Sequence, residues 1–255
     1  MTSMAQRQIA LITGASRGLG LALARELAGS GVRVAMVARD AREIEAAAEA
    51  LRAEGHDAIA IADDVGDPDA AWRIAGQVHA LLGTPDVVIH NASALGPVPL
   101  AALADTAPAT FAATFATNVF GPFALTRALV GAMVLRGWGT FVFISSDAAV
   151  EAYPTWGAYG ASKAALDHLG RIWAAELEGT GVRVVAIDPG EMDTRMHADA
   201  VPDADRSALA SPDDVARRIV DGLRGVPSGA RVSAAGLGVT AGLEAAAPAG
   251  LEEAV

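Results

Sequence analysis

The chain has 255 residues, enough for one large domain or two small ones with a sizeable buried core. Thirty acidic residues against 19 basic ones give a net charge of −11 and a pI near 4.8. That balance argues against nucleic acid and anionic membrane surfaces as partners, and the lack of cysteine rules out disulfides and thiolate chemistry. The polar N-terminus, Met1 to Gln8, runs straight into a strand pattern rather than a signal-type apolar segment. No stretch approaches the roughly 20 consecutive apolar residues of a bilayer span. A cytoplasmic protein with no membrane partner is the expectation.

Short apolar runs at 9–13, 32–37, 58–62, 86–89, 140–144 and 182–187 are rich in β-branched residues and too short for stable helices, so they predict buried strands. Helical patterns lie between them at 18–29, 40–53, 67–82, 107–136 and 157–178. A further helix starts at Pro212 with Ser211 as N-cap, and a weaker strand pattern covers 230–233. Alternating strands and helices demand a parallel sheet, because parallel neighbours need crossover connections. The expected fold is a single doubly wound α/β domain over 1–255, with about seven parallel strands and helices on both faces. Its core spans 8–234, and the Ala- and Gly-rich tail at 235–255 has no assigned structure.

The first strand runs into Thr13-Gly14-Ala15-Ser16-Arg17-Gly18-Leu19-Gly20 and then a helix. Glycines there let the backbone approach a pyrophosphate, and the helix N-terminus offers free N–H groups. Gly14, Ser16, Arg17, Gly18, Leu19 and Gly20 are therefore candidate dinucleotide contacts. The second strand ends in Val37-Ala38-Arg39-Asp40, where a basic residue would select the 2′-phosphate of NADP and an acid the 2′-hydroxyl of NAD. Ending the strand at Ala38 puts Arg39 on the ribose and makes Asp40 a helix N-cap, and Arg17 adds a second positive charge. NADP(H) is the expected cofactor, with NAD(H) the alternative should Asp40 take the ribose.

Of the 19 basic residues 18 are arginine, and the one lysine, Lys163, lies four residues after Tyr159. Arginine replaces lysine cheaply on a surface but not where a compact ammonium serves a polar site. Tyr159 and Lys163 share a helix face. A nearby ammonium would lower the phenol pKa and make Tyr159 a proton donor or acceptor. Ser146, at the end of the fifth strand, could polarise the same substrate oxygen.

These motifs resemble the short-chain dehydrogenase/reductase family, in its branch of about 250 residues. The family's T-G-x-x-x-G-x-G falls at Thr13 to Gly20, its Y-x-x-x-K at Tyr159 to Lys163, its Ser at Ser146, its Asn at Asn118 and its Pro-Gly turn at Pro189-Gly190. The resemblance implies a Rossmann-type fold and a catalytic set of Ser146, Tyr159, Lys163 and Asn118, with Asn118 binding a water that relays protons to Lys163. It implies adenine contacts at Asp64 and Val65 and a cleft lined by Asn91 and Ala92. At the nicotinamide end it implies Thr194, Pro189 and Gly190, with Lys163 on the ribose. It also implies a homodimer or homotetramer built on the helices at 107–136 and 157–178. Three departures stand out: Ser93 where Asn-Ala-Gly is usual, Glu191 after the Pro-Gly turn, and Ala234-Ala235-Gly236-Leu237 where Asp-Gly-Gly is usual.

The expected reaction interconverts a carbonyl and an alcohol, with hydride on nicotinamide C4 and Tyr159 as general acid/base. In reduction, Ser146 and Tyr159 would both donate to the carbonyl oxygen. The substrate pocket should form at the strand C-terminal ends from Ser93–Leu95, Ala148–Val150, Tyr153, Trp156, Met192, Met196 and His197, with 191–210 as a candidate lid. An apolar, non-anionic ketone or alcohol fits these walls. No metal is expected, since five scattered histidines without cysteine give no ligand spacing. Two other readings stay open: an NAD-linked alcohol dehydrogenase, and a non-enzymatic NADP-binding sensor or scaffold.

Overall fold

The computed structural model describes residues 8–237. Seven parallel strands form one sheet: β1 (Ile9–Thr13), β2 (Arg33–Ala38), β3 (Ala58–Ala62), β4 (Val87–His90), β5 (Gly139–Ile144), β6 (Val182–Asp188) and β7 (Arg231–Ser233). Their order across the sheet is β3-β2-β1-β4-β5-β6-β7. The chain therefore reverses its direction of winding between β1 and β4, which opens a crevice at the strand C-terminal ends. The helices are α1 (Gly18–Gly29), α2 (Ala41–Ala53), α3 (Ala70–Leu81), α4 (Pro108–Phe115), α5 (Gly121–Arg136), α6 (Gly157–Glu176), α7 (Arg195–Ala200) and α8 (Pro212–Gly222).

Both sheet faces are covered, so the central strands are apolar on both sides. One core packs Ile12, Val34, Met36 and Val185 against α1, α2 and α8 through Leu23, Ile44 and Ile219. The opposite core sets Leu11, Phe141, Phe143 and Val184 against α3, α5 and α6 through Ile74, Leu125 and Leu166. Asp86, just before β4, accepts from Ile9 N (2.7 Å) and pairs with Arg136 (2.7 Å), so the base of the sheet is fixed by a buried carboxylate.

Two features differ from the sequence pattern. The helix expected over 107–136 contains a π-helical turn at Ala116–Phe120, which separates α4 from α5 and buries Asn118. By length and composition alone this 29-residue path, with an 18-residue window of mean hydropathy 1.4, is apolar enough to cross a bilayer; Thr114, Thr126 and Arg127 interrupt it, and Leu125, Leu129 and Met133 are buried. The sequence Ala234-Ala235-Gly236 forms a 3₁₀ turn capped by Ser233, and Leu237 packs beside α8 against the core. The rest of the expected tail, 238–255, lies outside the described residues.

Candidate active site

The glycine loop crosses the top of β1 and is tied to β4. Thr13 Oγ1 accepts from the main-chain N–H groups of Asn91 and Ala92 (both 3.1 Å), and Asn91 Nδ2 donates to the carbonyls of Thr13 (3.0 Å) and Gly14 (3.1 Å). A Cβ on Gly20 would lie 2.2 Å from Gly14 O, and one on Gly14 would lie 2.8 Å from Ala92 Cα. Only glycine fits there, and the crowding leaves α1 with its N-terminus aimed into the crevice. The crevice is a cleft of about 1000 Å³, running from Arg17 and Arg39 past Asp64 and Val65 to Tyr159, Lys163, Pro189 and Thr194. Ser16, Gly18, Leu19, Asn91, Ala92 and Ser93 also line it. A cleft of this length, with glycine backbone at one wall, fits an extended dinucleotide. Gly20 lies beneath it and contributes by packing.

At the ribose end β2 stops at Ala38, Arg39 is exposed on the cleft wall, and Asp40 caps α2 by accepting from Arg42 N and Glu43 N (2.9 Å each). Arg17 is not the free cation expected there. Its guanidinium pairs with Glu43 at 3.0 Å, and Ser16 Oγ donates to the same carboxylate at 3.3 Å. Glu43 is a residue that sequence reasoning missed, because only the fold brings the first turn of α2 over the glycine loop.

At the other end, Tyr159 and Lys163 lie buried on α6, and Ser146 follows β5. Lys163 Nζ donates to Ile144 O (2.7 Å) and sits 5.5 Å from the Tyr159 ring centre. Burial pulls its ammonium down to about 8, against Asp167 and Asp188, which favour the charge. Tyr159 departs from expectation. Burial pushes the phenol up to about 12, Asp147 and Asp188 add to this, and the hydroxyls of Ser146 and Ser93 oppose it. A buried phenol loses more from desolvation of its anion than the sequence spacing can show.

Two further expectations change. Ser146 Oγ donates to Asp147 Oδ1 (2.9 Å) and accepts from Ala148 N (3.2 Å), so Asp147 competes with the Tyr159 phenol and with any substrate oxygen for its one rotatable proton. Asn118 is fully enclosed, away from the cleft. Its Nδ2 donates to Ala94 O (2.9 Å) and Ser162 Oγ (2.8 Å), while its Oδ1 accepts from Ala94 N (2.7 Å) and Ser93 Oγ (3.2 Å). The side chain is saturated by protein and fixes the segment after β4, so the expected water would have to be held by the Asn118 main-chain carbonyl, which Pro122, four residues on, has no N–H to meet.

A second cavity of about 330 Å³ opens beside the cleft. Leu95, Ala148, Tyr153, Trp156, Met192 and Met196 line it, as do Gly190 and His197, whereas Val150 is exposed outside it. Trp156 meets Tyr153 and Tyr159 edge-on, and Tyr153 donates to Asp147 Oδ2 at 3.0 Å. Glu191 is largely exposed and lies 3.5 Å from His197 Nε2. Within the candidate lid, Thr194 caps α7 by accepting from His197 N (3.2 Å), and Arg206 pairs with Asp193 (2.6 Å).

Comparison with known proteins agrees with this geometry. A sequence model of the family described as short chain dehydrogenase matches residues 8–205. A short chain dehydrogenase of Pseudocercospora fijiensis is 35% identical over 193 residues, covering 76% of this chain and 62% of that protein, so the chain spans less than two thirds of that relative's length. A short chain dehydrogenase structure from Salmonella enterica serovar Typhi superposes with a TM-score of 0.83 at 28% identity, covering 90% of this chain and 96% of the other. A Shigella flexneri chain of similar description, complexed with NADP, gives 0.82 at 28% identity, covering 89% and 97%.

Proposed function

Since the chain belongs to the short-chain dehydrogenase family of oxidoreductases, we propose that it is an NADP(H)-dependent enzyme interconverting a carbonyl and an alcohol. One observation carries the reading: Tyr159 lines both the long cleft and the smaller cavity, so a single phenol serves the junction of a cofactor site and a substrate site. Bound there, the nicotinamide would supply or take the hydride. The chain's own groups handle the proton.

A phenol held at about 12 stays protonated at neutral pH, ready to donate to a carbonyl oxygen as negative charge develops on it. Lys163 then favours the phenolate that is left, since an ammonium close to a new anion stabilises it. For Ser146 to donate as well, it must exchange Asp147 for the substrate oxygen, an approach that puts the reacting carbonyl against the 3₁₀ turn at 147–149. Leu95, Trp156, Met192 and Met196 exclude water around that point. A neutral ketone or alcohol suits a cavity that also carries Asp147 and Glu191.

Arg39 supports NADP(H) at the ribose. Glu43 favours the second reading, an NAD-linked alcohol dehydrogenase, because its carboxylate occupies Arg17 and Ser16 where a 2′-phosphate would want them. We propose further that the protein works as a homodimer or homotetramer, on the strength of the exposed Phe120, Phe123, Leu135 and Ile172 on or beside α5 and α6.

The test is consumption of NADPH and NADH, side by side, against ketones, aldehydes and diketones, with Tyr159→Phe as control. The expected result is turnover with NADPH and a loss of about 100-fold or more in the variant, as for removal of a general acid. NADH preference would overturn the cofactor assignment. Binding of either cofactor without turnover on any carbonyl would move the protein to the sensor or scaffold class.

A further inference from the structure

We propose that Arg231 is a positioning residue for the reacting side chains, an inference that rests on the reading of Ser146, Tyr159 and Lys163 given above. Arg231 opens β7, beyond the 8–205 span that the family comparison covers. Its Nε donates to Asp167 Oδ2 (2.8 Å), and its Nη2 donates to Ser146 O (2.7 Å) and Asp188 Oδ2 (3.1 Å). These three acceptors belong to three segments that carry or shape the site. Ser146 lies two residues past the end of β5, Asp167 lies one helical turn after Lys163 on α6, and Asp188 ends β6. Asp188 also accepts from Gly190 N (3.0 Å) and so shapes the Pro189-Gly190 turn that lines the cleft and cavity. A single planar guanidinium thus holds the serine's main chain, the turn and the lysine's helix in register. A lysine's point charge could not reach all three.

The bridge also sets the charge beside Lys163. Asp167 is 7% exposed and Asp188 13%, and both act on Lys163. Asp167 Oδ2 receives Arg231 and Ser145 Oγ (2.8 Å), while its Oδ1 is buried without a partner. Its negative charge is therefore balanced chiefly by Arg231. The charged groups acting on Lys163 are Asp167 on its own helix and Asp188 on β6, with the Tyr159 ring 5.5 Å away and Asp147 acting on that phenol; Arg231 on β7 reaches Lys163 through the two carboxylates it binds. Removing Arg231 leaves two carboxylates with only the neutral donors Ser145 Oγ and Gly190 N beside Lys163, which must hold its proton more tightly.

The one-lysine composition makes this measurable without any substrate. Protein labelled with ¹³C at lysine Cε gives a single NMR signal, whose titration reads Lys163 directly, starting from about 8. Arg231→Gln is expected to raise the midpoint by about half a pH unit or more, and Asp167→Asn to lower it, because the two remove opposite charges. Should Arg231→Gln fail to fold, Asp167→Asn alone still tests the bridge. A folded variant, verified by its melting curve, with a midpoint unchanged from wild type would overturn the proposal. With a turned-over substrate in hand, Arg231→Lys should lower kcat about 10-fold or more while cofactor KM stays within about threefold, the split expected when reacting groups are misplaced rather than binding lost. Parallel loss of both would overturn it. Absence of wild-type turnover would count against the oxidoreductase reading alone, since the titration needs none.

Discussion

The side chains around the ribose end of the cleft set opposing charges about one turn apart, so cofactor choice is a contest between Arg39 and Glu43. Arg39→Ala should raise the KM for NADPH about 10- to 100-fold and leave NADH nearly unchanged, the usual cost of a lost charged hydrogen bond to phosphate. Glu43→Gln should act the other way. It frees Arg17 and Ser16, and the exposed pair it breaks is weak, so a gain of only about two- to fivefold in NADPH affinity is expected, read by fluorescence titration. A shift toward NADH in Glu43→Gln would show that Arg17 takes no part in cofactor choice. The Asp40 cap was legible in the sequence because an acid before a helical run has a known local use. Glu43 was not, since nothing local tells that α2 leans over a loop 26 residues away. Tyr159 was legible by position but not by ionisation: an i, i+4 lysine is visible in sequence, and the burial that outweighs it is not.

At the scale of an element, two of the three glycines of α1, Gly20 and Gly29, look alike in sequence and differ in space. A Cβ at Gly20 would meet Gly14 O at 2.2 Å and Asn91 Nδ2 at 2.5 Å, whereas one at Gly29 meets nothing within 4 Å. Gly20→Ala should therefore push the loop off β4, cost about 1–3 kcal/mol of stability and abolish measurable NADPH binding. Gly29→Ala should stabilise by about 0.5 kcal/mol through the unfolded chain alone, with cofactor affinity unchanged. Paired melting curves and cofactor titrations check both, and equal effects would mean that the contact geometry has no bearing on the loop. Strand and helix limits were legible to within about three residues, because short β-branched runs and amphipathic periods have different physical lengths. The π turn at Ala116–Phe120 was not. Pro122, which has no N–H for the Asn118 carbonyl four residues back, marks a break there, but the turn type depends on tertiary contacts: Asn118 is held by Ala94 and Ser162, and a Cβ on Gly121 would lie 2.5 Å from Val65 O. The parallel sheet followed from strand-helix alternation, whereas the partner of each strand depends on which side each crossover takes.

Three buried titratable groups give the whole molecule an unusual dependence of stability on pH. His90 sits between Phe141 and Phe143 with Nε2 2.9 Å from Thr126 Oγ1, and burial pulls it down to about 3. The unfolded chain then binds a proton that the fold refuses, so stability falls as pH drops below about 6.5, at up to about 1.4 kcal/mol per pH unit. Lys163, held at about 8, follows the same sign at higher pH. The unfolded lysine stays protonated up to about 10.4, so stability rises with pH between about 8 and 10.4, by about 3 kcal/mol in all. Tyr159 has the reverse sign. Its folded pKa of about 12 lies above the unfolded value near 10, so its contribution is complete below pH 10 and is lost as pH rises toward 12. Together these three place greatest stability on the alkaline side, near pH 9 to 10, because at lower pH the fold carries a costly buried ammonium. Urea midpoints should accordingly increase from pH 5 to 7 to 9. Lys163→Met should raise the midpoint at pH 7 by the equivalent of about 2 kcal/mol, once about 1 kcal/mol is subtracted for the Ile144 carbonyl left without its donor. It should also remove the rise between pH 7 and 9 and leave the acid limb governed by His90 in place. A variant no more stable than wild type at pH 7 would show that the fold bears no cost for keeping its one lysine charged inside the site.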